Sequence, residues 1–250
     1  MYFDTRYLYI VLAILAISSI VSGGFDLLSL LLTLPGVLIA ITFHEFAHAF
    51  AADKLGDDTP RNQGRLSLNP FDHLDPFGLV MLIFAHIGWG KPVQINPRNF
   101  TRKVSMKTGE AIVSLAGPLM NFILAIVFSL VFYAVQVFAA SFCTTETGLI
   151  VLTMIQYIVI VNIGLGVFNL IPLPPLDGSK ILVAFLPYNA QRWVEEHEQL
   201  FYIIFLIIWI TPISSMIISP AIDAIAKGLD YMAAGIFSLF IWKTIDFWRR

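Results

Sequence analysis

Between Leu27 and Ala52 the only formally charged side chain is Glu45, and the run exceeds the ~20 residues that a helix needs to cross the hydrocarbon core of a bilayer. Five further apolar stretches can be marked, at Tyr7–Val21, Ala111–Ala140, Leu149–Ile171, Leu200–Ile218 and Ala221–Trp242. This pattern narrows the fold more than any other feature, because a backbone inside lipid finds no water to bond and crosses only as a helix or in a closed barrel. The composition agrees. Hydrophobic residues make up 58% of the chain and charged ones 13%, with a mean hydropathy of +0.80, against about half and about a quarter in soluble domains. The expected fold is an all-α polytopic membrane protein of about six transmembrane helices.

The distribution of Lys and Arg orients it. Residues Lys54, Arg61, Arg65, Lys91, Arg98, Arg102, Lys103 and Lys107 lie between the second and third stretches, whereas Ser141–Gly148 holds none. The positive-inside rule then puts the basic region and both termini in the cytoplasm, in line with Lys180, Arg192, Arg249 and Arg250. Tyr7–Val21 reads as a retained helix, since Asp4 beside Arg6 leaves no clearly positive leader. The last stretch carries Asp223, Lys227 and Asp230. Spanning is expected, anchored by Trp242 and Trp248, although an interfacial first half stays open. Between Gly56 and Gly109, the alternation at Gly64–Pro70 suggests a short strand, Leu79–Ile87 is too short to cross and reads as re-entrant or interfacial, and Trp89–Asn99 reads as extended. A short re-entrant and β-hairpin region is therefore expected. No basic tract interleaves with aromatics, so nucleic acid is not an expected partner. The single cysteine, Cys143, excludes an intramolecular disulfide.

Two runs carry chemistry. His44-Glu45-Phe46-Ala47-His48 has the H-E-x-x-H pattern inside the second apolar stretch. Four residues apart on a helix, His44 and His48 project from one face and can hold one ion. Glu45, about 100° round the helix, suits contact with a water on that ion better than ligation. Catalytic zinc takes three protein ligands and leaves a position for water. An unpaired carboxylate at that depth would cost a few kcal/mol on insertion scales, which weighs against a bland reading of the motif. The second run, Asn169-Leu170-Ile171-Pro172-Leu173-Pro174-Pro175-Leu176-Asp177-Gly178, ends the fourth stretch with prolines and places a carboxylate beyond them. Asp177 is the best-placed third ligand. The competing reading makes it the cap of a short helix over Ser179–Leu186.

Together these runs resemble the site-2 proteases, the intramembrane zinc metalloproteases. The likeness extends to Gly64–Gly78, Gly88–Phe100 and Ala116–Asn121, and so covers roughly Leu27 to Leu186. It implies one Zn2+ per chain held by His44, His48 and Asp177, Glu45 as general base, Asn169 on the substrate backbone or oxyanion, and a conserved core of three helices. Pro175 is an extra proline, and Ser179 stands where glycine is common. Many relatives carry a PDZ domain or CBS domains, and this chain has room for neither. A single membrane-embedded peptidase domain over 1–250 is expected, with its catalytic core at about 27–186 and C-terminal helices at about 199–250.

Weaker candidates remain. Asn121, four residues after Gly117, reads as a helix-packing amide or a substrate contact. His73, between Asp72 and Asp75, reads as a solvated histidine or a group near the site. His86 reads as a packing residue, and His197 as part of an acidic patch. The expected function is cleavage of peptide bonds within or near transmembrane segments of membrane proteins. The expected location is a prokaryotic cell membrane, with the site nearer the cytoplasmic face. Rival classes are a zinc-dependent membrane hydrolase of another substrate and a non-catalytic metal-binding scaffold. Oligomeric state is not legible.

Overall fold

In the computed structural model, the structure describes residues 26–76, 78, 90–101 and 104–248, with backbone alone for 209, 210, 214, 217 and 239–248. Among the described residues seven helices longer than two turns follow in order: α1 (Leu27–Leu55), α2 (Met106–Phe138), α3 (Glu146–Asn169), α4 (Asp177–Phe185), α5 (Tyr188–Glu196), α6 (Glu198–Ile210) and α7 (Ile213–Trp248). Single turns at Thr59–Asn62, Pro70–His73, Pro97–Asn99 and Ala140–Cys143 join them.

Helices α1, α2 and α3 are long and apolar enough to cross a membrane, and each packs on the other two. Their ends are chemically marked. The Asp26 carboxylate accepts from the N–H groups of Leu28 and Ser29 to start α1, and Gly56 ends it at φ 105°, in the left-handed region where glycine carries no Cβ penalty. Ser105 and Thr145 cap α2 and α3 in the same way as Asp26. Small and polar side chains are buried between them, Ala40, Ala49, Ala52 and Ala125 beside Thr42, Ser114, Asn121 and Asn162, together with Val113, Ile158 and Ile163. The outward face of α2 is apolar and exposed at Leu115, Leu119, Ile123 and Ile126. That inversion is costly in water and natural in lipid, where close backbone packing rather than hydrophobic exclusion joins helices. The chain is an integral membrane protein.

Several expectations on boundaries need correction. Among the described residues there is no strand, only an isolated antiparallel bridge between Leu74 and Gly90. At Gly64–Pro70 the alternation fails to make one because the segment turns inward: buried Arg65 donates its guanidinium to the Asp72 carbonyl, and Asn69 caps the turn at Pro70–His73. The break expected between Ile218 and Ala221 falls instead at Thr211-Pro212, where Thr211 is extended, as a residue before proline prefers. Pro220 lies inside α7. Helix α6 has 13 residues, short of a span. The expected helix at Tyr7–Val21 and the re-entrant piece at Leu79–Ile87 lie outside the described residues.

Candidate metal centre

The inner face of α1 carries His44 and His48 one turn apart, both buried. Their Nε2 atoms stand 3.0 Å from each other. Asp177 Oδ2 lies 3.2 Å from the first and 3.1 Å from the second. The chain delivers Asp177 by stopping α3 at Asn169 and turning through Pro172–Leu176, with a cis Pro174–Pro175 peptide. Leu173 and Leu176 bond back to Ile171 and Leu173, and α4 starts at Asp177 with no side-chain cap. The carboxylate faces the imidazoles instead of capping the helix. Glycine is required at the next position, because a Cβ on Gly178 would stand 2.3 Å from the Leu170 carbonyl oxygen.

The other ring nitrogens decide what the three atoms can do. His44 Nδ1 lies 2.7 Å from Asn121 Oδ1, and His48 Nδ1 lies 2.7 Å from the Val113 carbonyl oxygen. The Asn121 amide cannot be the other way round, since its Nδ2 donates to the Ala40 carbonyl at 3.1 Å and to Asn162 Oδ1 at 3.0 Å. Asn162 in turn donates to the Ile158 carbonyl at 2.8 Å. Both Nδ1 atoms therefore donate, and in the neutral rings both Nε2 atoms present lone pairs. Two such nitrogens and a carboxylate oxygen at mutual distances of 3.0–3.2 Å repel one another unless a cation sits among them. Donors about 2.0–2.1 Å from a tetrahedral zinc are about 3.3–3.4 Å apart, so the spacing fits. Three N/O donors without a thiolate match a catalytic zinc site with one position left open. Gly117 of α2 makes room for it: a Cβ there would lie 2.4 Å from His48 Nε2 and 2.7 Å from His44 Cε1.

Glu45 is half-buried and outside this donor group. Its Oε2 accepts from the Val93 N–H at 3.0 Å. Two residues earlier, the Lys91 N–H donates to the His73 carbonyl at 2.7 Å. Alternate residues thus bond to one side, as in a strand. His73 is fully buried, with Nε2 2.7 Å from the Ser67 carbonyl and Nδ1 without a partner among the described residues. Asn169 sits half-buried at the end of α3 and donates to the Leu165 carbonyl at 3.1 Å. His197 joins α5 to α6, its Nδ1 2.8 Å from the Trp193 carbonyl, and His86 lies outside the described residues.

Sequence reasoning overlooked four participants: Val113, Asn162, Gly117 as the spacer, and Asp57. A backbone carbonyl leaves no sequence signal, but Asn162 inside the apolar run of α3 was visible. Asp57 is fully buried just past α1. It accepts from the Thr59 hydroxyl at 2.6 Å, the Thr59 N–H at 3.1 Å, the Asn96 N–H at 2.6 Å and the Asn99 amide at 2.9 Å. Burial alone would raise its pKa, but these bonds outweigh it and hold the carboxyl below the usual carboxylate range. The same carboxylate ties residues 96–99 to the end of α1.

A buried His-His-Asp donor set between spanning helices, with a glutamate beside the first histidine, defines a membrane metallohydrolase. The sequence profile of Peptidase family M50 matches residues 32–211, and the chain belongs to that family. It is 37% identical over 206 residues to the Bacillus subtilis (strain 168) protein named "Putative zinc metalloprotease YwhC", covering 80% of this chain and 90% of that one. It is 31% identical over 188 residues to "Putative zinc metalloprotease Rip2" of Mycolicibacterium smegmatis, covering 73% of this chain and 68% of that one. The Rip2 of Mycobacterium tuberculosis (strain H37Rv) is 29% identical over 185 residues, covering 72% of this chain and 67% of that protein. No solved structure matches.

Proposed function

We propose that the chain is an intramembrane zinc metalloprotease that hydrolyses peptide bonds within or near transmembrane segments of membrane proteins. The observation that carries this reading is the convergence of three lone-pair atoms, with both Nδ1 atoms already committed, beside a carboxylate that is not part of the donor set. Zinc held by His44, His48 and Asp177 would polarise the scissile carbonyl and acidify a water. Glu45 would serve as general base for an attacking water and deliver the proton to the leaving amine, while the Val93 N–H holds one of its oxygens in place. Asn169 keeps one amide hydrogen beyond its bond to Leu165 for the substrate backbone or the oxyanion. Asn121 and His73 act on the site from behind, Asn121 through His44 and His73 through the Lys91–Val93 segment. A substrate unwound from its own helix lies extended alongside that segment at Glu45.

The wider reading places this site nearer the cytoplasmic face of a single peptidase domain in a prokaryotic cell membrane, with about six spans, a re-entrant piece and both termini cytoplasmic. The test is a purified Glu45→Gln protein given a transmembrane peptide in vesicles. Zinc content should stay at one per chain while defined cleavage falls by at least about 100-fold, the lower range for loss of a general base. Cleavage at the wild-type rate would remove Glu45 from the mechanism. Cleavage of a lipid amide in place of any peptide would favour the other hydrolase class.

A further inference from the structure

Beside Glu45 lies a cavity of about 430 Å³ lined by Gln63, Arg65, Lys91, Pro92 and Gln94. No carboxylate lines it. Arg65 is only 6% exposed, and among the described residues its guanidinium has one acceptor, the Asp72 carbonyl, and no ion pair. A cation held so deep without a carboxylate is costly. Lys91, which also lines the cavity, is exposed and has no ion pair among the described residues either. Gln63 Nε2 donates to Gln94 Oε1 at 3.1 Å, which leaves the Gln94 amide N–H groups free to donate. The lining therefore carries donors from Arg65, Lys91 and the Gln94 amide and no negative charge of its own.

Position gives the cavity its purpose. Lys91, Pro92 and Gln94 flank Val93, whose N–H reaches Glu45. With Lys91 and Val93 bonded toward the protein, the Pro92 carbonyl and the Gln94 N–H face away, and neither has a partner among the described residues. A substrate whose scissile bond lies at Glu45 has its flanking residues within a few residues' reach of this cavity, because Val93 itself bonds to the Glu45 carboxylate. Resting on the protease reading above, we propose that this cavity is a specificity subsite for an acidic side chain, Asp or Glu, on the substrate segment flanking the cleaved bond. Arg65 supplies the buried cation, and Lys91 and the Gln94 amide complete the donor set.

The test uses full-length, zinc-loaded Glu45→Gln protein in neutral-lipid vesicles and fluorescent transmembrane peptides with Glu, Gln or Lys scanned through the positions flanking the cleavage site. At one position the Glu peptide should bind about tenfold tighter than the Gln peptide, the factor that one charge-assisted hydrogen bond supplies, and the Lys peptide weaker than both. That Glu-to-Gln ratio should fall toward one in Arg65→Gln and in Lys91→Gln. Lys91→Gln keeps the test sound if loss of the Arg65 contact to Asp72 unfolds the loop. Equal binding of the three peptides at every position overturns the subsite, as does a ratio that survives both substitutions. Binding of all peptides that rises with anionic lipid and loses that dependence in the variants, without charge preference, assigns the cavity to a lipid headgroup and also overturns it. Because binding is read without turnover, a wild-type protein that cleaves no peptide contradicts the protease reading separately.

Discussion

Replacing Gly117 by alanine should empty the metal centre while leaving the helices intact. The new Cβ would stand 2.4 Å from His48 Nε2, 2.5 Å from His48 Cε1 and 2.7 Å from His44 Cε1, where ordinary contact begins at 3.4 Å. The rings must retreat by about 1 Å, roughly five times the ±0.2 Å that a metal–ligand distance tolerates. They cannot do so freely, because their Nδ1 atoms are tied to Asn121 and Val113 at 2.7 Å, and α2 is itself packed against α1 and α3. Second-shell losses alone cost 10–100-fold in metal affinity, so displacing both ligands should weaken zinc by at least about 100-fold. Propensity runs the other way, since Ala is favoured over Gly within a helix by about 1 kcal/mol. Far-ultraviolet dichroism of the zinc-free variant should therefore match that of the zinc-free parent. Zinc affinity would be read by competition with a chelator in detergent. An affinity within about threefold of wild type, roughly 0.6 kcal/mol, would mean that the imidazoles do not need the space above Gly117, and the geometric argument would be refuted.

Asn121→Leu removes the acceptor of His44 Nδ1 and should lower zinc affinity 10–100-fold, whereas Asn121→Asp keeps an acceptor there and should retain more of it; equal losses by chelator competition would show that packing, not tautomer control, is at stake. Asn162→Ala leaves one Asn121 N–H without its acceptor and should cost about 1–3 kcal/mol in thermal or denaturant unfolding. Asp57 has a folded pKa below its unfolded value, so its contribution is full above about pH 4 and is lost as pH falls through the folded value. Hydrogen exchange at Asn96, corrected for intrinsic rate, should accelerate over that acid range, and Asp57→Asn should abolish the step.

The parts of this structure that were legible in the sequence are those that a local rule governs. The runs behind α1, α2 and α3 announce themselves through length and hydropathy, and His44 with His48 through a spacing that a helix turns into neighbours one turn apart on one face. Proline punctuation at 172–175 marks the end of α3 because missing donors and steric clash act within one turn. Less legible were features set by what lies across the fold. Alternation at Gly64–Pro70 looks like a strand until the inward turn of Arg65 is known. Proline misplaced one helix boundary, since Pro212 breaks the chain and Pro220 does not. Val113 enters the site through a carbonyl, which carries no residue code, and Asn162 enters through another amide from a different helix.

Placing charged chemistry between lipid-facing helices requires water on one side only. His44 and His48 are 5% and 8% exposed, and Asn121 and Asn162 behind them are wholly buried. Asn121 and Asn162 bond to each other, to His44 and to the Ala40 and Ile158 carbonyls, so these amides are satisfied without water. Glu45 and Asp177 are half-buried instead, and Lys91, Pro92 and Gln94 beside them are exposed. The wet face of the centre is thus the face where Lys91–Asn96 runs, tied down by His73 at one end and by Asp57 at the other. Water and an extended peptide reach the centre by the same route, so whatever loosens this segment should weaken substrate binding and turnover together while zinc stays bound behind it. Asp57→Asn provides that separation: a fall in kcat/KM with zinc content unchanged places the segment in the catalytic path, and a parallel loss of zinc would show it to be only a brace for the fold.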